Sequence, residues 1–137
     1  MTEQDKELLL RDLCARLPHG VKVSILGGGA MELKSCINSS IGWYADINGA
    51  PTDFGIDEIK PYLRPLSSMT EEELREYDTI CTKLLNQYKA CPKNSLWVMT
   101  YTDSEMIDFF NAHHFDYRGL IEKGLAIAVT EENNPYR

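Results

Sequence analysis

The sequence predicts an α+β fold in a single domain, 1–137: a mostly antiparallel sheet of about four to six strands packed against two or three helices. Three observations predict it. Runs that alternate apolar and polar residues crowd the stretch 21–59. Amphipathic stretches with capping signatures lie on either side of that block. No linker divides the 137 residues, a length that suits one core.

The elements follow in chain order. Thr2 and Asp5 resemble a capping arrangement that opens a helix over about 3–17, with Leu9, Leu10, Leu13, Cys14 and Leu17 as its apolar stripe. Pro18 and Gly20 end it. Val21 to Ile25 alternates like a half-buried strand, and Gly27-Gly28-Gly29 turns it into a second strand, Met31 to Ile37. Ile41 to Ile47, with Trp43 and Tyr44, is a third run, closed by the turn dipeptide Asn48-Gly49. Phe54 to Ile59 reads as a fourth short strand or an irregular edge. Pro61 and Pro65 make Tyr62-Leu63-Arg64 an extended connector, because each proline removes a ladder donor.

Thr70 and Glu73 then form a capping box. Glu71, Glu72 and Glu73 stand where the helix dipole favours negative charge, and Met69 with Leu74 fits a hydrophobic staple. This helix carries Leu74, Tyr77, Ile80, Cys81, Leu84, Leu85 and Tyr88 to about Lys89. Residues 92–95 read as a loop, and Leu96 to Tyr101 as a β-prone central strand. Thr102 and Glu105 form a second box that opens a helix over 103–113. One helical turn at 120–124, a last strand at 125–129 and a loose polar tail from Glu131 complete the chain.

Composition narrows the function classes. With 14 Lys+Arg against 21 Asp+Glu the net charge is −7, and most of it falls in 51–137, which holds fifteen acids and nine bases. An acidic surface repels phosphate, so a nucleic-acid partner is disfavoured. Several of the acids stand at helix starts, where capping and solubility account for them. The N-terminus is acidic and Leu8-Leu9-Leu10 is too short for a signal or a span, which predicts a cytoplasmic protein with no membrane role. Cys14, Cys36, Cys81 and Cys91 have no metal-type spacing; free thiols are expected, with Cys14 and Cys81 in the core, and no metal or cofactor.

Three blocks of wording resemble a family of small hypothetical proteins from Bacteroides-type gut bacteria and their phages and prophages. One runs from Ile59 through Lys60-Pro61-Tyr62-Leu63-Arg64-Pro65 to Glu73. A second runs from Phe110 through His113-His114-Phe115-Asp116-Tyr117-Arg118 to Leu125. The third is Leu8 to Val23, around Leu13-Cys14-Ala15-Arg16-Leu17-Pro18-His19-Gly20. The resemblance implies a source and a setting. It brings no activity and no site residues.

The densest polar cluster is His113, His114, Asp116, Tyr117 and Arg118. Acid–base work with Arg118 holding an anion is one use of it. Local capping is the commoner use, with the histidines closing a helix and Asp116 paired to Arg118 before Gly119. Trp43 and Tyr62 are candidate aromatic anchors for an interface. The Gly27–Gly29 run lacks the Lys-Ser/Thr and following helix of a phosphate loop. These readings favour a phage- or mobile-element-associated accessory protein that works by binding another protein. The alternatives are a small enzyme built on His113–Arg118 and a nucleic-acid module. Oligomeric state is not legible.

Overall fold

A computed structural model describes the backbone of residues 2–39, 42–47, 50–90 and 96–137, with side chains at 2–36, 54–86 and 104–137. The first capping box forms as expected: Asp5 N–H donates to Thr2 Oγ1 (3.0 Å) and Thr2 N–H to Asp5 Oδ2 (3.3 Å). It opens α1, Glu3–Arg16, which runs into a 3-10 turn and ends at Gly20 with φ +69°, a conformation that costs glycine least. α1 buries Leu9, Asp12, Leu13 and Arg16. That line has helical spacing but is rotated off the all-apolar one, so Leu10 and Leu17 are only half-buried. Cys14, expected in the core, is exposed, and Cys81 is half-buried. The rotation takes the Asp12–Arg16 pair inside, where Arg16 reaches the Phe115 carbonyl.

Six strands form one sheet in the order β4-β3-β2-β1-β5-β6. They are β1 Lys22–Ile25, β2 Ala30–Ser39, β3 Gly42–Ile47, β4 Ala50–Gly55, β5 Ile59–Leu63 and β6 Ile127–Ala128. All neighbours are antiparallel except β5 and β6, so the sheet is mixed. The triple glycine makes a hairpin turn, as expected. Gly28 N–H donates to the Ile25 carbonyl (2.8 Å), with Leu26 and Gly27 both at positive φ, the type I′ pattern that matches strand twist. The Asn48-Gly49 turn lies outside the described residues.

The stretch expected as a connector is instead a strand inside the sheet. β5 lies between β1 and β6 despite Pro61, which pairs with Val23. The pleat explains why the proline is tolerated. Leu63, two residues on, turns its carbonyl towards the β6 side, where Val129 N–H donates to it (2.8 Å). Pro61 faces the same side, but β6 begins only opposite Tyr62. The missing donor therefore falls beyond the end of the ladder and no bond is lost.

The Thr70–Glu73 box opens α2, Glu71–Ala90. α3 runs unbroken over Leu96–Ala112, which corrects both the strand expected at 96–101 and the helix start expected at Thr102. β propensity describes fit to a half-buried pleated surface and yields to tertiary context. Here the run holds no Gly or Pro, and seventeen helical residues pair along α2. Glu105, expected in a cap, instead meets Lys83 of α2 at 2.8 Å. The 92–95 loop and Cys91 lie outside the described residues.

The core gathers Leu9 and Leu13 of α1 against Val21, Val23, Leu33, Ile56, Ile59 and Leu63 of the sheet region, with Leu120 and Leu125 closing it. The α2–α3 hairpin is held by a second, aromatic cluster of Tyr77, Phe109, Phe110, Phe115 and Tyr117. Within 71–86 no α2 side chain is fully buried. Among the described residues, no helix is long and apolar enough to cross a membrane.

Candidate functional site

The cluster His113–Arg118 sits where α3 ends against the sheet. α3 closes in a Schellman motif: Phe115 N–H donates to the Phe110 carbonyl (2.9 Å) and His114 N–H to that of Asn111 (3.2 Å). His114 takes the left-handed position at φ +63°, where glycine is usual. Phe115 packs edge-on against Phe110, the apolar contact that accompanies the motif. Capping is thus the work of backbone N–H groups, and the two imidazoles point to different partners. His113 Nδ1 lies 3.0 Å from Glu73 Oε2 and its Nε2 3.4 Å from Glu76 Oε2. His114 stacks on Tyr136, centroids 3.7 Å apart and planes 9° apart.

The other members serve three further contacts. Asp116 accepts from Leu120 N–H (2.9 Å) and Ile121 N–H (3.0 Å), which caps the helical turn that ends at Gly124. Arg118, expected from sequence to pair with Asp116, instead lies with its Nε 3.3 Å from Asp12 Oδ1, at ion-pair distance without hydrogen-bond geometry. Tyr117 lies under two guanidinium groups, Arg16 at 5.2 Å and Arg118 at 5.0 Å from its ring centroid.

Residues that sequence reading passed over hold this joint together. Arg16 is fully buried. Its Nε donates to Asp12 Oδ2 (2.7 Å) and its Nη2 to the Phe115 carbonyl (2.6 Å). Burial pushes the Asp12 carboxyl up, against the opposing pull of Arg16 and Arg118. Arg64, just past β5, clamps Glu73 with both Nη atoms (2.6 and 2.7 Å) and covers the Phe115 ring at 4.4 Å. That clamp holds the Glu73 carboxyl down to about 2. One signal was available in the sequence: Asp12 and Arg16 fall at i+3 and i+7 from Leu9, spacing that puts a charged pair on the buried face.

The tail, expected to be loose, is tied down by Tyr136. Its hydroxyl donates to the Tyr62 carbonyl (2.7 Å) and accepts from Lys22 N–H (3.1 Å), bridging β1 and β5 where their ladder ends. Tyr62 is thus joined to the joint through its backbone. Trp43 stands on β3, opposite Asn38 and three strands from β5, roughly 14 Å away at normal strand spacing. Its side chain lies outside the described residues, and the two aromatics are on strands too far apart for one compact patch.

Two concave surfaces flank the joint. A polar groove of about 670 Å³ is lined by Arg64, Ser68, Thr70, His113, His114 and Tyr136, among others. A more apolar groove of about 370 Å³ lies between the Leu66–Met69 segment and the hairpin, lined by Leu66, Met69, Leu74, Tyr77 and Phe110. Leu74 of this lining is 49% exposed, and Leu85, three turns on along the same side of α2, is 52% exposed.

The joint sets the pH range of stability. Burial first, then the nearby cations Arg16, His19, Arg64 and His113, hold His114 down to about 4. Its folded pKa lies below the unfolded value near 6.5, so stability is full above that pH and falls as pH drops from about 6.5 towards 4. Glu73 adds a second loss below its unfolded value of 4.5. Burial pushes Tyr136 up to about 12, so stability is kept below pH 10 and lost above it. Thermal melts should plateau between about pH 6.5 and 9, because burial also pushes the Cys36 thiol up to about 12 from an unfolded value of 9.0. The His114 step should be worth about 1–2 kcal/mol, its partial exposure discounting the shift. His114→Asn, which tolerates the left-handed position, should erase the 6.5-to-4 step and leave the Glu73 step. A melt curve unchanged by that substitution would refute the assignment.

No protein-family model matches the chain, and no curated protein and no solved structure matches it.

Proposed function

We propose that the protein acts by binding another protein, as a cytoplasmic accessory factor of phage or mobile-element origin in Bacteroides-type bacteria. The setting rests on the three blocks of sequence resemblance. The mode of action is supported by one observation: half-exposed Leu74 of α2 lines the apolar Leu66–Met69 groove, and Leu85 is half-exposed on the same side of the helix. Concave apolar surface of this kind is where protein partners dock. The enzyme reading has the polar groove in its favour. Against it stand the bonds of the cluster: His113 faces two glutamates, Asp116 caps a turn and Arg118 faces Asp12. The charge of −7 weighs against a nucleic-acid role.

Leu85→Glu tests the reading, since a half-exposed position tolerates the change and the fold should melt within about 0.5 kcal/mol of the parent. Tagged parent and variant are passed over a lysate of a Bacteroides-type host. The parent should retain a stoichiometric protein and the variant should lose it. Equal recovery by both, or none by the parent across several conditions, counts against the α2 flank as the binding surface.

A further inference from the structure

Far from α2, two thiols meet between α1 and β2. The end of α1 and the start of β2 come together at Gly20, where an added Cβ would stand 2.9 Å from Glu32 Oε1. There Leu33 N–H also donates to the Val21 carbonyl (3.0 Å). From that junction the two elements stay in contact. About 10 Å back along the helix lies Cys14, and about 13 Å along the strand lies Cys36. A β-bulge between Leu33 and Ser35 shifts the alternation of β2, so that Cys36 shares the face of Leu33 and packs on the core. On α1, Cys14 falls on one line with Leu10 and Leu17, which pack at the rim of the same core. The Cys36 thiol is within hydrogen-bonding reach of the Cys14 sulfur. Cys14 is exposed, whereas Cys36 is half-buried.

We propose that Cys14 and Cys36 form a redox-active dithiol, oxidised by low-molecular-weight disulfides to an intramolecular disulfide that fastens α1 to β2. The division of exposure assigns the order of events. Cys14 is the sulfur that an oxidant from solvent can reach. As a thiolate it attacks one sulfur of the small disulfide, whose S–S bond breaks and whose other half leaves as a thiolate and takes up the proton that Cys14 gave to water. Cys36 then attacks Cys14 Sγ, breaks the mixed disulfide and expels the second small thiolate, which takes the proton of Cys36. Two protein thiols are oxidised, and one small disulfide is reduced to two thiols. Burial first, and then the Cys14 sulfur, push the Cys36 thiol up to about 12, so Cys36 stays protonated while Cys14 is free. Capping Cys14 removes its share of that push at the step where Cys36 must react. In a reducing compartment a bond of this kind is made and broken in turn rather than kept.

The test is to treat the full chain with millimolar oxidised glutathione at about pH 8, then block the remaining thiols and map peptides by mass spectrometry. The parent should yield a Cys14–Cys36 cross-link with no glutathione attached to either residue. Its melting temperature should rise by several degrees and return on adding dithiothreitol. Cys36→Ser should stop at the glutathione adduct on Cys14, and Cys14→Ser should leave Cys36 reduced, each fold checked by circular dichroism. In urea, where the chain no longer holds the sulfurs together, the yield of this cross-link should fall at least several-fold. A native parent that stays reduced, or that stops at the adduct on Cys14, overturns the proposal. So does a cross-link that maps to another pair of cysteines, or one that forms equally well in urea.

Discussion

Arg16→Ala should destabilise the fold by about 3–5 kcal/mol, enough to leave a domain of this size marginally folded at 37 °C. Arg16 is fully buried, bonded through Nε to the equally buried Asp12 and through Nη2 to the Phe115 carbonyl. Removing the guanidinium strands a buried carboxylate, faced then by Arg118 alone at 3.3 Å, and a buried carbonyl. Breaking such a pair costs far more than the pair itself contributes, because desolvation of two charges offsets most of their attraction. Burial already drives the Asp12 carboxyl upward in the intact protein, which is the sign of that cost. A double variant, Asp12→Leu with Arg16→Met, should therefore be more stable than Arg16→Ala alone, with the Phe115 carbonyl left short of a donor and the partly exposed Arg118 without its carboxylate. Urea melts of the three proteins decide it. A double variant no better than the single would mean that the pair is worth keeping for its own attraction.

The pair also explains which parts of the fold were legible. Capping boxes are local chemistry, so the starts at Thr2 and Thr70 could be read from a few residues. The glycine hairpin and the alternation of β1 were equally local. What failed was long-range. Pro61 argues against a strand until it is known that the neighbouring strand stops short of it. Leu96 to Tyr101 has the residues of a strand, and only the presence of α2 alongside makes it helix. The cluster at His113–Arg118 was found because its residues adjoin in sequence. Its partners Asp12, Arg16, Arg64, Glu73 and Tyr136 come from elements distant along the chain, and none of those contacts has a local signature. Tyr136 looked like part of a free tail because nothing nearby in sequence shows its hydroxyl ending between two strands.

Phe115→Ala should cost about 3–5 kcal/mol, and its effect should be unevenly distributed. The ring is fully buried where, among the described residues, the Phe109–Phe110 end of α3 meets Arg64 beside β5. Phe109 and Phe110 of α3 lie 6.1 and 6.4 Å away, and the Arg64 guanidinium covers the ring at 4.4 Å. Its backbone bridges to Arg64 beside β5. Truncation opens a cavity between the hairpin and the sheet while leaving the Leu9–Leu13–Val23–Ile59 core untouched. Described side chains of α2 have no fully buried position of their own to compensate. Amide hydrogen exchange should then show α2 and α3 losing protection at lower free energy than β1, β2 and β5, as a separate unit of opening. Phe115→Leu, which keeps most of the volume, should recover more than half of the loss. If protection falls equally in helices and strands, hairpin and sheet open together, and the hairpin is not a separate unit of opening.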